Sequence, residues 1–215
     1  LALTDYVTVN FKALADAIDV LGGLDIEMTN AECVHANNYN REVSEAQGVE
    51  YEAIPYDEDL GDDYSEVRHV SGALATSYAR IRYGGGDDYR RTERQRTVLT
   101  AMMQKAQKSN ILTLNKLINA AFGDIQTSFS NTDLLALATK VFSYDIGDTT
   151  GFPYEKTTHK YDKIGDVVIP CDLASNVTQL HQFLFNDENY TPSATVLSNS
   201  QQIISNTGYK QGDGH

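Results

Sequence analysis

Residues 3–28 read LTDYVTVNFKALADAIDVLGGLDIEM, and this stretch decides the architecture of the chain. Between residues 5 and 10, polar and apolar side chains alternate, which is typical of a β-strand. The apolar residues that follow recur at helical spacing: Phe11, Leu14, Ala15, Ile18 and Leu21. Gly22 and Gly23 favour the end of that helix, and alternation resumes at Leu24 as a second strand. A strand, a helix and a strand in this order predict an α/β fold.

The rest of the chain continues with helices and short strands. Periodicity predicts helices over residues 31–45, 69–79, 88–108, 112–121, 131–144, 173–185 and 193–206, and a strand over residues 166–170. No internal repeat or clear linker divides the 215 residues. We therefore expect one domain over residues 1–215, with a central mixed β-sheet sandwiched by helices in α-β-α layers and a frayed tail at residues 207–215.

The chain is acidic overall, but one segment is rich in arginine. The formal net charge of −13 argues against nucleic acid as a partner, because the phosphate backbone would be repelled. Six of the eight arginines nevertheless lie in one segment, YARIRYGGGDDYRRTERQR at residues 78–96. Arginine offers a planar fork of donors that suits phosphate, and the glycines at residues 84–86 let backbone N–H groups approach a ligand. The segment predicts a small anionic ligand such as a phosphate or pyrophosphate.

A helical wheel over residues 88–108 separates these arginines into two groups. The apolar stripe of that helix consists of Val98, Leu99, Met102 and Ala106. Arg91 and Gln95 fall on the same stripe, so we expect them to point inward into a polar pocket, since an unpaired buried charge is costly. Arg80 and Arg82 would lie opposite them, on one side of extended chain, with the anion between. The other arginines lie on the sides or back of the helix and are expected to pair with surface carboxylates: Arg90, Arg94 and Arg96.

Three further features have a plain and a functional interpretation. Cys33 and Cys171 could form a disulfide or remain two free thiols, and neither belongs to a zinc pattern. The acidic segment at residues 57–66 fits a solvated loop better than a metal site, because its carboxylates lack EF-hand spacing. Asn176 begins a glycosylation sequon inside a predicted helix, so we attribute that match to chance.

Two segments of the chain resemble the LytR-CpsA-Psr family. Residues 3–28 are similar to that family's strand–helix–Gly-Gly–strand unit, with Asn10 where an aspartate is common. Residues 69–95 resemble its arginine motif, which runs from an arginine pair through a glycine-rich turn to Asp-aromatic-x-Arg and then Arg-Gln. The later helices and residues 167–185 are also similar, so the resemblance covers nearly the whole chain.

The resemblance implies an enzyme of the bacterial cell wall. Such proteins sit on the outer face of the cytoplasmic membrane and move a glycopolymer, such as teichoic acid or capsular polysaccharide, from polyprenyl pyrophosphate to peptidoglycan by phosphotransfer. Carried over by position, the residues that match the family's pyrophosphate contacts are Arg80, Arg82, Arg91 and Gln95. Asp88 matches the motif aspartate and is expected to orient a neighbouring arginine.

The resemblance also implies a Mg²⁺ cofactor and a membrane anchor. The acidic ligands of the metal, a further arginine and the anchor are expected upstream of the region that matches Leu1. The chain would then keep part of the phosphate cradle and lack the metal half. A non-catalytic module that binds polyprenyl phosphate or a cell-wall polymer is the alternative, motivated by Asn10 and by those upstream residues.

Overall fold

The computed structural model describes residues 3–82, 87–122, 125–145 and 147–214. The helices are α1 Phe11–Val20, α2 Asn30–Gln47, α3 Gly72–Arg80, α4 Asp87–Gln107, α5 Ile111–Phe122, α6 Asn131–Thr139, α7 Leu173–Phe185 and α8 Ala194–Thr207. The strands are β1 Val7–Val9, β2 Leu24–Thr29, β3 Ser65–Val70, β4 Ile125–Thr127, β5 Lys156–Tyr161 and β6 Gly165–Pro170. Where the sequence predicts one domain, the chain divides into two compact units, unit 1 at Leu1–Asp148 and unit 2 at Thr149–His215.

The β1–α1–β2 unit forms as the sequence predicts. The side chain of Asn10 accepts a hydrogen bond from the Ala13 N–H at 2.7 Å, which satisfies a donor left open at the start of α1. Gly22 and Gly23 end the helix with φ of 79° and 77°, a region that other residues rarely adopt. A Cβ on Gly23 would also lie 2.8 Å from the carbonyl oxygen of Val70. Only glycine therefore fits where the chain turns from α1 into β2.

The strands pair as antiparallel ladders. β1 pairs with β4, β2 with β3, and β5 with β6, and in the longest ladder within unit 1 Leu24 lies opposite Val70. The α/β class is confirmed, because these strands alternate with helices that pack on them. Within the described ranges, however, the strands hydrogen-bond as three separate pairs rather than as one mixed sheet.

The core of unit 1 lies where α1, α2, α3 and α4 meet β2. Its largest fully buried apolar side chains are Ile18, Leu24, Ile26, Met28, Leu74, Ile81, Val70 and Val98. Gly72 lets α1 and α3 approach closely, since a Cβ there would lie 2.6 Å from the Ala15 carbonyl carbon and closer still to its oxygen. This packing fixes the end of α3, and with it the position of Arg80.

The helix predicted over residues 69–79 starts too early. His69 and Val70 belong to β3, and α3 begins only at Gly72, where the side chain of Ser71 accepts from the Leu74 N–H. Cross-strand pairing with β2 holds His69, a tertiary effect that overrides the local helical pattern. The sequence also gives no sign of β5, because its residues KTTHKY lack apolar alternation.

The acidic segment at residues 57–66 is exposed throughout, as expected of a solvated loop. It passes through a short 3₁₀ turn at Glu58–Leu60 before β3 begins. The buried amide of Asn30 donates to the carbonyls of Asp57 at 2.7 Å and Gly61 at 2.8 Å. These two hydrogen bonds hold the loop against the start of α2.

Unit 2 consists of the β5–β6 hairpin, α7, α8 and the C-terminal residues. Asn176 in α7 is fully buried; its Nδ2 donates to the Asp172 carbonyl at 2.8 Å, and its Oδ1 accepts from the Glu155 N–H at 3.1 Å. Burial explains why the sequon at Asn176 is a chance match. The C-terminal tail was predicted to fray. Instead, the N–H groups of Gly212 and Gly214 donate hydrogen bonds to the Glu155 carboxylate.

Candidate functional site

Arg80 is the last residue of α3 and projects from its C-terminal end. Its guanidinium carbon lies 5.2 Å from the centre of the Phe11 ring and 5.7 Å from that of Tyr39. Its ion pair with Glu42 is long, at 3.9 Å, and the Glu42 side chain is 76% exposed. The sequence pattern placed Arg80 and Arg82 on the same side of an extended chain. Arg80 is helical instead, so strand geometry does not put the two side chains on one side.

Helix α4 is rotated relative to the helical wheel. The buried residues along it are Arg94, Val98 and Ala106. Leu99 is 58% exposed, and Gln95, one turn earlier on the same ridge, is exposed as well. The expectation that Gln95 points inward is therefore wrong, whereas Arg91 is half-buried near the buried face. Arg94 was assigned by the sequence to the surface, but among the described arginine side chains of α4 it is the buried one.

A partner from a distant helix makes the burial of Arg94 possible. Arg94 Nε donates to Glu32 Oε1 at 2.8 Å, and one of its terminal nitrogens donates to the carbonyl of Ile81 at 3.2 Å. Glu32 also accepts from the Thr29 N–H, closing a capping box at the start of α2. Charge pairing and hydrogen bonding offset the cost of removing the guanidinium from water. No helical wheel shows this partner, because it lies 62 positions away in sequence.

The Arg94–Ile81 hydrogen bond brings the two halves of the arginine motif together. Arg80 and Arg82 flank Ile81, each one Cα step of about 3.8 Å away. Arg91 precedes Arg94 by three residues, about 4.5 Å along the helix axis. Arg82 is exposed and Arg91 half-buried, so both can reach a ligand from solvent. The side chain of Asp88 lies outside the described residues, although its backbone belongs to α4.

A cavity of about 400 Å³ lies next to Arg94. It is lined by residues of α2, α3 and α4 together with one residue of the acidic loop: Thr29, Ala31, Glu32, His35, Asp63, Tyr78, Arg90, Glu93, Arg94 and Thr97. Burial, reinforced by the charge of Glu32, raises the pKa of the Tyr78 phenol, so this side chain stays neutral. Among the predicted site residues whose side chains the structure describes, none lines this cavity: Arg80, Arg82, Arg91 and Gln95.

A metal site is not assembled by the part of the chain that the structure describes. Across those residues there is no group of three or more His, Cys, Asp or Glu side chains that could hold an ion. The Mg²⁺ expected from the resemblance therefore has no ligand set here.

Cys33 and Cys171 are both buried and free, which resolves the two alternatives for the thiols. No described helix is long and apolar enough to cross a membrane.

Comparison with known proteins identifies a family. The sequence model of the LytR_cpsA_psr family matches residues 1–161. The chain is 27% identical over 143 residues to the polyisoprenyl-teichoic acid–peptidoglycan teichoic acid transferase TagV of Bacillus subtilis. That match covers 61% of this chain and 30% of TagV, so the chain spans about a third of this curated relative.

Solved structures show the same fold. A protein from Enterococcus faecalis described as a transcriptional regulator aligns with a TM-score of 0.62 and 17% identity, over 98% of this chain and 69% of that one. The crystal structure of B. subtilis TagV aligns with a TM-score of 0.55 and 22% identity, over 89% of this chain and 66% of that one. TagT bound to LIIa-WTA aligns with a TM-score of 0.53 and 13% identity, over 97% and 63%. With a family match over three quarters of its residues, the chain belongs to the LytR-CpsA-Psr family.

Proposed function

We propose that this chain is the phosphate-binding part of a transferase that moves a glycopolymer from a polyprenyl pyrophosphate carrier to peptidoglycan. An acceptor hydroxyl of peptidoglycan would attack the phosphorus that bears the polymer. The bond from that phosphorus to the bridging oxygen breaks, the polymer stays on the phosphoryl group, and polyprenyl phosphate leaves. The acceptors would lie on the outer face of the cytoplasmic membrane. The relationship to TagV, itself a teichoic acid transferase, supports this assignment.

The hydrogen bond from Arg94 to the Ile81 carbonyl is the observation that carries the proposal. It places the segment that carries Arg80 and Arg82 against the helix that carries Arg91. In an otherwise acidic chain, this supports the proposal that the three guanidinium groups converge on one anion. Two phosphates carry adjacent negative charges, and charge also develops on the bridging oxygen as the bond breaks. Fixed guanidinium groups stabilise that charge without having to reorganise during the reaction.

Each predicted residue has a distinct part in this proposal. Arg80, Arg82 and Arg91 would bind the pyrophosphate, with Arg91 reaching it from α4. Gln95 is exposed, so it would contact the ligand from the rim rather than from a buried pocket. Asp88 would orient one of the arginines. Mg²⁺ is an expectation of the family alone, and no step is assigned to it, because the described residues do not assemble its site.

Titration with geranylgeranyl pyrophosphate, a soluble polyprenyl pyrophosphate, tests the binding step. We expect Arg82→Ala and Arg91→Ala each to weaken binding about tenfold or more in isothermal calorimetry, the usual effect of losing a charge-assisted hydrogen bond. Arg41→Ala is the matched control, because Arg41 is an exposed arginine of α2, outside the arginine motif, and its guanidinium contacts the Tyr51 ring. Unchanged binding in both site variants would remove the proposal.

A non-catalytic binding module is the second candidate. The observation in its favour is Asn10, which stands where the family commonly has an aspartate and which serves here as the cap of α1. The complete gene product should be incubated with lipid-linked glycopolymer and peptidoglycan. Transfer that is lost in Arg91→Ala identifies the enzyme. Binding of the lipid pyrophosphate with neither transfer nor hydrolysis identifies the binding module.

A further inference from the structure

Two aromatic rings hold the guanidinium of Arg80. Its central carbon lies 5.2 Å from the centre of the Phe11 ring and 5.7 Å from the centre of the Tyr39 ring, both within the range of a cation–π contact. The one ion pair of Arg80 among the described residues is with Glu42, at 3.9 Å. That distance is beyond a hydrogen bond. The described neighbours of this cation are therefore two aromatic rings and one exposed carboxylate that lies too far away for a hydrogen bond.

The choice of neighbours matters for an arginine that binds phosphate. A carboxylate partner would accept the N–H groups of Arg80 and compete with the phosphate for them. A ring attracts the positive charge through its quadrupole and accepts no conventional hydrogen bond from it. Phe11 and Tyr39 can thus restrict the motion of Arg80 while its N–H groups stay available to an anion.

The two rings come from different parts of the fold. Phe11 is the first residue of α1, where Asn10 caps the helix, and it is 56% exposed. Tyr39 lies in the middle of α2 and packs against the core. Packing of α1 and α2 against α3 therefore places the rings independently of the local conformation at Arg80. A phenylalanine that remains half-exposed is stabilised little by burial in the core. Its contact with Arg80 is therefore the feature to which we assign a role.

We infer that Phe11 and Tyr39 are positioning residues that pre-orient Arg80 for a pyrophosphate ligand. The inference rests on the proposed function, since it presumes that Arg80 contacts the anion. Neither ring touches the reacting atoms; each acts through the guanidinium. Removing one ring should weaken pyrophosphate binding about threefold to tenfold, the size of a partly exposed cation–π contact.

A double-mutant cycle separates positioning from general structural support. Binding of geranylgeranyl pyrophosphate is measured for Phe11→Leu and Tyr39→Leu, in the wild-type background and in an Arg80→Ala background. Tyr39→Phe keeps the ring, and Tyr51→Leu removes the ring of a different arginine–aromatic pair, that of Arg41. Both controls should bind like wild type. Thermal unfolding of every variant establishes that it is folded.

The inference predicts weaker binding for both leucine variants in the wild-type background and no further change when Arg80 is already alanine. An equal loss in both backgrounds overturns it, because the rings would then act on the fold or on the ligand directly. Unchanged binding in the leucine variants overturns it too. If Arg80→Ala binds normally while Arg82→Ala and Arg91→Ala do not, the inference fails and the proposed function survives. If all three arginine variants bind normally, both fail.

A second readout does not depend on affinity. The Arg80 Nε–H resonance in a ¹⁵N-labelled protein should shift and broaden in Phe11→Leu, because ring current and restraint are both lost. An unchanged resonance would show that the ring does not hold the guanidinium in solution, and it would reject the inference even if binding were reduced.

Discussion

Arg94 and Glu32 form a buried ion pair, with Arg94 Nε 2.8 Å from Glu32 Oε1 and side-chain exposures of 9% and 20%. The pair joins α4 to the capped start of α2. We predict that Arg94→Met lowers the free energy of unfolding by about 3 kcal/mol, since Glu32 and the Ile81 carbonyl lose their donor. Urea unfolding measures this loss. Arg90→Met, an exposed change on the same helix, should stay within about 0.5 kcal/mol of wild type. Equal losses in the two variants would contradict a role for the pair.

The close approach of α1 and α3 depends on Gly72. Alanine usually stabilises a helix relative to glycine by about 1 kcal/mol. At Gly72, however, a Cβ would lie 2.6 Å from the Ala15 carbonyl carbon, and backbone cannot move aside cheaply. Gly72→Ala should therefore destabilise unit 1 by about 2 kcal/mol or more, as overpacking does. Gly147→Ala is the control, because no atom lies within 4 Å of a Cβ there. A stabilised Gly72→Ala protein would show that the helices can separate without cost.

Asn176 connects α7 to the segment before β5. Its side chain donates to the Glu155 and Asp172 carbonyls and accepts from the Tyr154 and Glu155 N–H groups. Asn176→Ala leaves these buried groups without partners, so unit 2 should lose about 3 kcal/mol of stability. Amide hydrogen exchange of residues 154–156 reports the loss locally. Asn189→Ala, at an exposed asparagine in the same unit, should have little effect. Unaltered exchange in Asn176→Ala would refute the structural role.

The stability of unit 2 should depend on pH through the carboxyl group of Asp172. Burial alone would raise the pKa of this carboxyl, but hydrogen bonds from Ser200, Ser175 and backbone amides outweigh it and lower the pKa below its ordinary value. The folded-state pKa is depressed, so the stabilisation is present above the unfolded-state pKa of about 3.9 and is lost as pH falls through the folded-state value. Unit 2 should thus lose stability below about pH 4, as followed by near-UV circular dichroism.

The hydroxyl of Ser200 supplies part of this stabilisation, donating to Asp172 Oδ1 at 2.6 Å. Ser200→Ala should destabilise unit 2 by about 1.5 kcal/mol at pH 7, the usual value for a hydrogen bond to a charged group. The difference from wild type should shrink as pH falls through the folded-state pKa of Asp172, because protonation removes the charge that strengthens this hydrogen bond. Ser198→Ala, at an exposed position of α8, is the matched control. A loss that does not vary with pH would mean that the hydroxyl acts without the carboxylate.

Local sequence patterns predicted most elements of this fold. α7 was predicted at residues 173–185 and is found at Leu173–Phe185, because its apolar period and its cap at Asp172 are both local. The helix–Gly-Gly–strand turn was equally visible. Three strands were missed: β3, β4 and β5. β5 has a polar sequence, and β4 is a three-residue strand held by pairing with the distant β1, where Val9 lies opposite Ile125.

The arginines show where local patterns stop being informative. The wheel counted Leu99 as part of the apolar stripe and so turned Gln95 inward, yet Leu99 is 58% exposed. The rotation of α4 is set instead by Glu32, which pairs with Arg94 from the start of α2. Among the predicted site residues, Arg80 is placed by rings on two other helices, a feature with no local signal.

By itself, the sequence determined the class of the fold, the bounds of the main helices and the clustering of arginines in one segment of an acidic chain. Periodicity, capping residues and charge are carried by neighbours along the chain, so each could be predicted from the order of residues. Only the tertiary structure decided which arginine is buried and which aromatic rings hold Arg80. Those outcomes depend on partners that folding brings together from distant positions, and helical geometry alone leaves the rotation of α4 undetermined.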